Sequence, residues 1–287
     1  MDFPEKRKET FAVLENVHNL PSIPVVLAEV NNLLSDHNTS ASDLGAVISR
    51  DQGLVTKVLS VANSPLYGIP RRVSTIEFAI VILGFNHIKN IVIALSMMEA
   101  FKTVNGNKFR KKEYWTHSIL TGFLAKRLAD DLGYAFSGEA FTSGLLHDLG
   151  LPLIFKLFPK EYNEIVNGVI LGEGTYLELE QKYLGASHCE IGRFLVDKWN
   201  LPDSLAEAVN FHHAPARENI YDELTSIVHL ADYMLNKMKI GNYFWDDDIK
   251  LDESVYKILK LGNYDYIESL IEQYEPKVRE QFDNFIF

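Results

Sequence analysis

Thr142-Ser143-Gly144-Leu145-Leu146-His147-Asp148-Leu149-Gly150 delivers a histidine and an aspartate side by side at the end of a run of small and apolar residues. Adjacent helix positions point about 100° apart, so His147 and Asp148 face one centre only from a helix end that lies against it. Leu149-Gly150-Leu151-Pro152 closes or kinks the helix there, because proline removes a backbone donor and crowds the preceding turn. The pair then has two readings. In one, His147 interacts with the last carbonyls of its helix. In the other, both residues hold an ion whose remaining ligands come from other helices.

Outward from the pair, the chain offers such ligands in order. Glu113 and His117 are four residues apart and share a helix face that continues through Ile119, Leu120, Phe123 and Leu124. His188 stands in the first turn of a helix opened by Ser187, where a histidine also serves as a cap. His212-His213 closes an apolar helix running through Leu205, Ala208 and Val209. Asp232 lies beside the apolar face of Ile227, Leu230, Ala231 and Met234, with His229 in reach to support it. A buried aspartate requires a partner, and a cation is one. Imidazole suits borderline divalent ions, and carboxylate neutralises or bridges them.

The 287 residues are 47% hydrophobic and 23% charged, which predicts a globular chain with a sizeable core. The single cysteine, Cys189, excludes a disulfide within the chain and fits a reducing, cytoplasmic setting. On sequence it reads as a small buried residue beside His188. The N-terminus lacks the apolar stretch of an export signal, and runs such as Phe78 to Phe85 are too short for a bilayer. No membrane association is expected. A net charge of -11 argues against phosphate-backbone binding, so no DNA binding is expected either. Residues 240–287 hold eleven acidic and five basic side chains, and read as a solvated face on helices that pack back onto the body.

The remaining pattern is helical throughout. Residues 1–10 read as frayed or as a loose first helix. Leu20-Pro21-Ser22-Ile23-Pro24 introduces a helix carrying Val26, Leu27, Val30, Leu33 and Leu34, and two short amphipathic helices follow up to Ala62. Asn63-Ser64-Pro65-Leu66-Tyr67-Gly68 is a turn, and Ser74-Thr75-Ile76-Glu77 reads as a capping box. Ile76 to Leu83 is apolar all round and predicts burial on most sides, with a break at Gly84 to Asn86. Asn105-Gly106-Asn107 is the strongest boundary signal, dividing an N-terminal lobe (1–105) from a lobe bearing the ligand candidates (106–240), before the acidic tail (241–287). The basic cluster Lys108 to Lys112 reads as a solvated helix face. The fold class expected is all-α.

These motifs carry a resemblance. His117, then His147-Asp148, then Asp232 resembles the ligand series of the HD superfamily of metal-dependent phosphohydrolases. Leu20-Pro21 with Ile23-Pro24, Asn63 to Gly68, Ala79-Ile80 with Leu83-Gly84, and Trp199-Asn200-Leu201-Pro202 before His212-His213 resemble the HDOD domain, an HD-related output domain of bacterial signalling proteins. The resemblance covers residues 15 to 235. It implies an HD-type multi-helix bundle and a divalent transition metal, mononuclear or binuclear, with iron, manganese, zinc and nickel equally compatible. His188, His212 and His213 fall where the related HD-GYP phosphodiesterases hold additional metal, Glu113 matches their acidic residue before the first histidine, and Asp148 would be the bridging, catalytic group. Leu151 replaces a common lysine, and Ala214-Pro215-Ala216-Arg217-Glu218 replaces the Gly-Tyr-Pro loop, with Arg217 or Lys126 as substitute phosphate partners. The resemblance therefore implies a regulatory output protein acting through a protein partner. Its alternative is a phosphohydrolase on a nucleotide or cyclic dinucleotide.

Overall fold

The computed structural model describes residues 3–16, 25–34, 39–64, 67–101, 109–216, 220–240, 245 and 249–284. Every regular element among them is a helix: α1 (Phe3–Asn16), α2 (Val25–Leu34), α3 (Ala41–Ile48), α4 (Gln52–Ala62), α5 (Ile76–Leu83), α6 (Phe85–Ala100), α7 (Lys111–Asp131) and α8 (Ser137–Leu146) are followed by α9 (Gly150–Leu157), α10 (Pro159–Ile170), α11 (Tyr176–Leu184), α12 (His188–Lys198), α13 (Asp203–Phe211), α14 (Asp222–Met238), α15 (Ser254–Ile258) and α16 (Tyr264–Asn284). No helix of the described residues is long and apolar enough to cross a membrane. The Leu20 to Pro24 entry, Pro65-Leu66, the Asn105 to Asn107 boundary with Lys108, and Arg217-Glu218 lie outside the described residues.

Helix α7 is the axis. Every residue from Tyr114 to Lys126 is buried, so its apolar and small residues meet neighbours on all sides. Its closest partner is α8, and glycine sets the approach. A Cβ on Gly144 would stand 2.9 Å from the Gly122 Cα, and one on Gly122 would stand 2.7 Å from the Phe141 carbonyl oxygen. Any larger residue at either position pushes the helices apart. Helices α13 and α14 pack on this pair and α12 packs on α13 and α9, with Ile191, Leu195, Val209, Ile227, Leu230 and Met234 in one core. A second core holds Val30, Leu44, Ile48, Val58, Ile76, Ile80 and Ile88 from α2 to α6, and α6 shares its faces between the two.

Several local expectations change. The first helix is docked rather than frayed: α1 packs on α11, with Thr10 donating to the Leu184 carbonyl (2.7 Å) and Arg7 paired with Glu190 (2.6 Å). The cap of α5 is Thr75, whose hydroxyl accepts from the Phe78 N–H; the expected box starting at Ser74 does not form, because Phe78 at the third helical position has no acceptor to return the bond. Helix α5 is also not enclosed. Val81 is 74% exposed and Ile82 47%, because only the Ile76, Ala79 and Ile80 face meets α3, α4 and α6. Gly84 then breaks the chain as expected, with φ 88° in the region that favours glycine. In the tail, Ile267, Leu270 and Ile271 are buried and α16 packs on α7 and α14.

Candidate metal centre

The break after Leu146 sets the centre. Helix α8 ends there, His147 to Leu149 form a turn, and α9 starts at Gly150, with Pro152 in the first turn where its missing N–H costs nothing. Both readings of His147 hold at once. Its Nδ1–H donates to the Gly144 carbonyl (2.6 Å), satisfying a helix-end acceptor. That bond leaves Nε2 as a lone pair facing inward. His212 repeats the device at the end of α13, Nδ1–H donating to the Val209 carbonyl (2.8 Å).

Around Asp148 the donors form two nests, one on each carboxylate oxygen. Toward Oδ2 lie His147 Nε2 (3.2 Å) and His117 Nε2 (3.7 Å), with 3.2 Å between the two nitrogens. Asp232 joins this nest from α14, Oδ1 3.2 Å from His117 Nε2. Toward Oδ1 lie His188 Nε2 (3.2 Å) and His212 Nε2 (3.5 Å). His213 adds Nε2 at 3.2 Å from His188 Nε2. His117, His147, Asp148, His188, His212 and Asp232 are each 0% exposed, and His213 is half-buried.

These residues fit a cation on their own chemistry. Nε2 lone pairs face carboxylate oxygens, acceptor against acceptor, and Asp148 Oδ1 and both oxygens of Asp232 have no hydrogen-bond partner. Buried carboxylates left so are costly. Without a cation, protons carry the balance. Burial opposes charge on His188 and His212, but negative charge on the Cys189 sulfur and the facing carboxylates raise both well above the ordinary imidazole value. Burial would likewise raise Asp148, yet the imidazoles of His147, His188 and His212 that face its carboxylate hold it well below the carboxylate range. His213 is pushed down by burial and by its neighbours His212 and His188.

Of the sequence candidates, His117, His147, Asp148, His188, His212, His213 and Asp232 converge. Glu113, one turn before His117 on α7, is half-buried and, like Asp232, lies in neither tight group of three or more ligand atoms among the described residues, although Asp232 reaches His117 at 3.2 Å. Lys126 is held by Asp130 (2.6 Å) and lies over the Tyr67 ring, so it is committed elsewhere. His229 supports His212 rather than Asp232, its Nδ1–H donating to the His212 carbonyl (2.6 Å) while Nε2 accepts from the Asp252 N–H (2.9 Å).

Three contributors were not legible. Glu180 on α11, fully buried, accepts from the His188 backbone N–H (2.8 Å) and from Nδ1 (2.9 Å), fixing the tautomer that aims Nε2 inward. Carboxylate–imidazole pairs of this kind orient metal-binding histidines. Trp245, from the tail, donates its indole N–H to Asp148 Oδ2 (2.8 Å) and packs edge-on to His117. Cys189 places Sγ 3.5 Å from His188 Nε2 and 4.0 Å from His212 Nε2. Burial would raise that thiol, but the two imidazoles bring it down to about 6. A Glu eight residues before a histidine and a tryptophan in an acidic tail carry no spacing signal.

An all-helical bundle with a His, His-Asp, Asp series gathered on its central helices defines an HD-type scaffold. The chain belongs to the HDOD domain family, which it matches over residues 20–215. Its fold is that of an HDOD domain protein of unknown function from Geobacter sulfurreducens (23% identity, TM-score 0.81, 100% of both chains). It is also similar to a candidate signal transduction protein from Marinobacter aquaeolei VT8 (20%, TM-score 0.74, 99% of this chain and 66% of that one). A candidate phosphohydrolase from Shewanella amazonensis SB2B matches at 24% identity and TM-score 0.74 over 95% of this chain and 97% of its own. An uncharacterized protein of Treponema pallidum (strain Nichols) is 26% identical over 223 residues, 77% of this chain and 43% of that protein, so the chain spans less than half of that relative.

Proposed function

We propose that this is a bacterial signal-transduction output protein whose divalent metal centre shapes the fold that a protein partner reads. The observation that carries this reading is the closure of the centre: six of its ligand candidates are 0% exposed, and Trp245 occupies a hydrogen-bonding direction of Asp148 Oδ2. A phosphoester needs open approach to a metal and a free coordination position. His117, His147, Asp148 and Asp232 would hold one ion, and His188, His212 and His213 with Asp148 a second. A divalent cation, when bound, supplies positive charge and Lewis acidity there. The chain's own residues orient the donors: Gly144 and Val209 carbonyls and Glu180 fix three imidazole tautomers. The signal-transduction naming of the Marinobacter protein supports the reading by fold only.

A second reading, a metal-dependent phosphohydrolase acting on a nucleotide or cyclic dinucleotide with Asp148 as the bridging catalytic group, is favoured by the donor set itself. Five imidazoles and two carboxylates are more than a single structural ion requires. One experiment separates the two. Elemental analysis of protein purified without chelator, beside Asp148→Ala, is paired with a phosphoester and cyclic-dinucleotide hydrolysis screen of the loaded protein. Metal without turnover fits the output reading; turnover that vanishes in Asp148→Ala would replace it with the second.

A further inference from the structure

We propose that Cys189 is a thiolate ligand of the ion position formed by His188, His212 and His213, making it a three-nitrogen, one-sulfur site for a borderline cation such as zinc, iron(II) or cobalt(II). The inference rests on the reading that the centre holds metal and goes beyond it in naming a ligand and an ion class.

Donor spacing is the first argument. Around a tetrahedral ion with metal–nitrogen bonds of about 2.05 Å and a metal–sulfur bond of about 2.3 Å, the nitrogen–nitrogen edges are about 3.3 Å and the nitrogen–sulfur edges about 3.6 Å. The observed edges are 3.4 Å between His188 and His212 Nε2 and 3.2 Å between His188 and His213 Nε2. Those involving sulfur are 3.5 Å and 4.0 Å. The four ligand atoms, none supplied by Asp148, all lie within 4.8 Å of one another.

Chemistry of the surroundings is the second. His188 Nδ1 is tied to Glu180 and His212 Nδ1 to the Val209 carbonyl, so both Nε2 atoms present lone pairs to the sulfur. A thiol has one hydrogen to offer them. Asp148 Oδ1, wholly buried and without a hydrogen-bond partner, points into the same space at 3.2 Å from His188 Nε2 and 3.5 Å from His212 Nε2. A cation among these Nε2, Sγ and Oδ1 atoms would replace the protons that they otherwise have to share. Cys189 is moreover the second residue of α12, where the N-terminal dipole favours an anionic sulfur. Thiolate and carboxylate together would neutralise a divalent ion beside residues that are otherwise buried.

A sulfur ligand selects against magnesium and calcium, which take oxygen donors. With His188, His212 and His213 it gives four protein donors without Asp148, the closed arrangement of structural rather than catalytic sites, so that Asp148 would balance charge at this position rather than complete its shell.

The test is cobalt(II) loaded anaerobically into the metal-depleted full chain, followed by near-ultraviolet absorption and metal content. The expected result is a sulfur-to-cobalt charge-transfer band in the wild type. In Cys189→Ser the band is absent and about one ion fewer is bound per chain, with circular dichroism showing the fold retained. Cobalt bound by the wild type without that band would overturn the assignment of Cys189 while leaving the metal centre standing. No cobalt bound at all would overturn both. Should Cys189→Ser fail to fold, the wild-type spectrum alone decides.

Discussion

Gly150→Ala tests how the two halves of the centre are held together. A Cβ at Gly150 would lie 1.9 Å from the His188 carbonyl oxygen and 2.9 Å from its Cα, where Cβ contacts below 3.0 Å essentially do not occur. Since the clash is with backbone, α9 and α12 must separate by about 1.1 Å to bring the shorter contact to 3.0 Å. Asp148 and His188, on either side of this contact, must separate with them. Ligand distances tolerate about 0.2 Å, so the ion position around His188 should be lost. Overpacking costs about 1–3 kcal/mol when side chains can adjust, and backbone against backbone belongs at the upper end. At about 2–4 °C per kcal/mol for a chain of this class, the melting temperature should fall by about 6–12 °C. Gly262→Ala, which meets no atom within 4 Å, is the matched control and should change nothing. The assay is thermal unfolding by circular dichroism with metal analysis of the same samples. Gly150→Ala with wild-type melting temperature and full metal content would refute the claim that this contact positions the centre.

Three further outcomes are expected. Chelation should destabilise the protein by about 4 kcal/mol relative to protein held at a thousandfold excess over the dissociation constant, read as a metal-dependent melting temperature; an unchanged melting temperature in chelator counts against the centre. Trp245→Phe removes a hydrogen bond to a buried carboxylate, at a cost of about 1.5–3 kcal/mol, measured by urea unfolding at matched metal loading; a loss below about 0.5 kcal/mol would show that the indole N–H contributes only packing. Asp130 is raised by burial but lowered further by the Lys126 and Ser137 hydrogen bonds and the Lys126 charge, so its folded value lies below the ordinary one. That stabilisation is present above the unfolded carboxylate value and is lost as pH falls through the folded one. Lys126→Met should therefore lower the melting temperature more at pH 7 than near pH 3; an equal deficit at both would assign the effect to packing over Tyr67.

The helices, the break after Leu146 and most of the side chains that converge on the centre were legible because each leaves a local mark. Gly150 and Pro152 mark the junction between α8 and α9, where both stand in the first turn of the second helix, and His147 and His212 sit at helix ends that the apolar period already locates. Glu113 shows the limit of the same logic. Spacing of four puts it on the His117 face, but only three-dimensional packing decides how far along that face the centre extends. Glu180 and Trp245 reach the centre through contacts 8 and 97 residues distant in sequence. Nothing local encodes such a meeting; it follows from close approaches such as Gly122 on Gly144 and Gly150 on His188. Exposure of α5 escaped for a related reason, since an apolar run reports an affinity for burial and not the number of neighbours that arrive.

The bond from Trp245 to Asp148 has a thermodynamic corollary. The tail and the centre share one carboxylate, so whatever detaches the indole alters the charge balance felt by an ion, and whatever fills the centre alters how firmly the indole is held. Such coupling is reciprocal. If metal abolished or created the whole of a bond worth about 1.5–3 kcal/mol, a protein that captures the tail would change metal affinity by at most about 10- to 150-fold, and metal would change that protein's affinity by the same factor. Titrating a tail-binding partner with and without chelator measures the coupling directly. A closed centre would then report through its strap, with occupancy as the message and the tail as the readout.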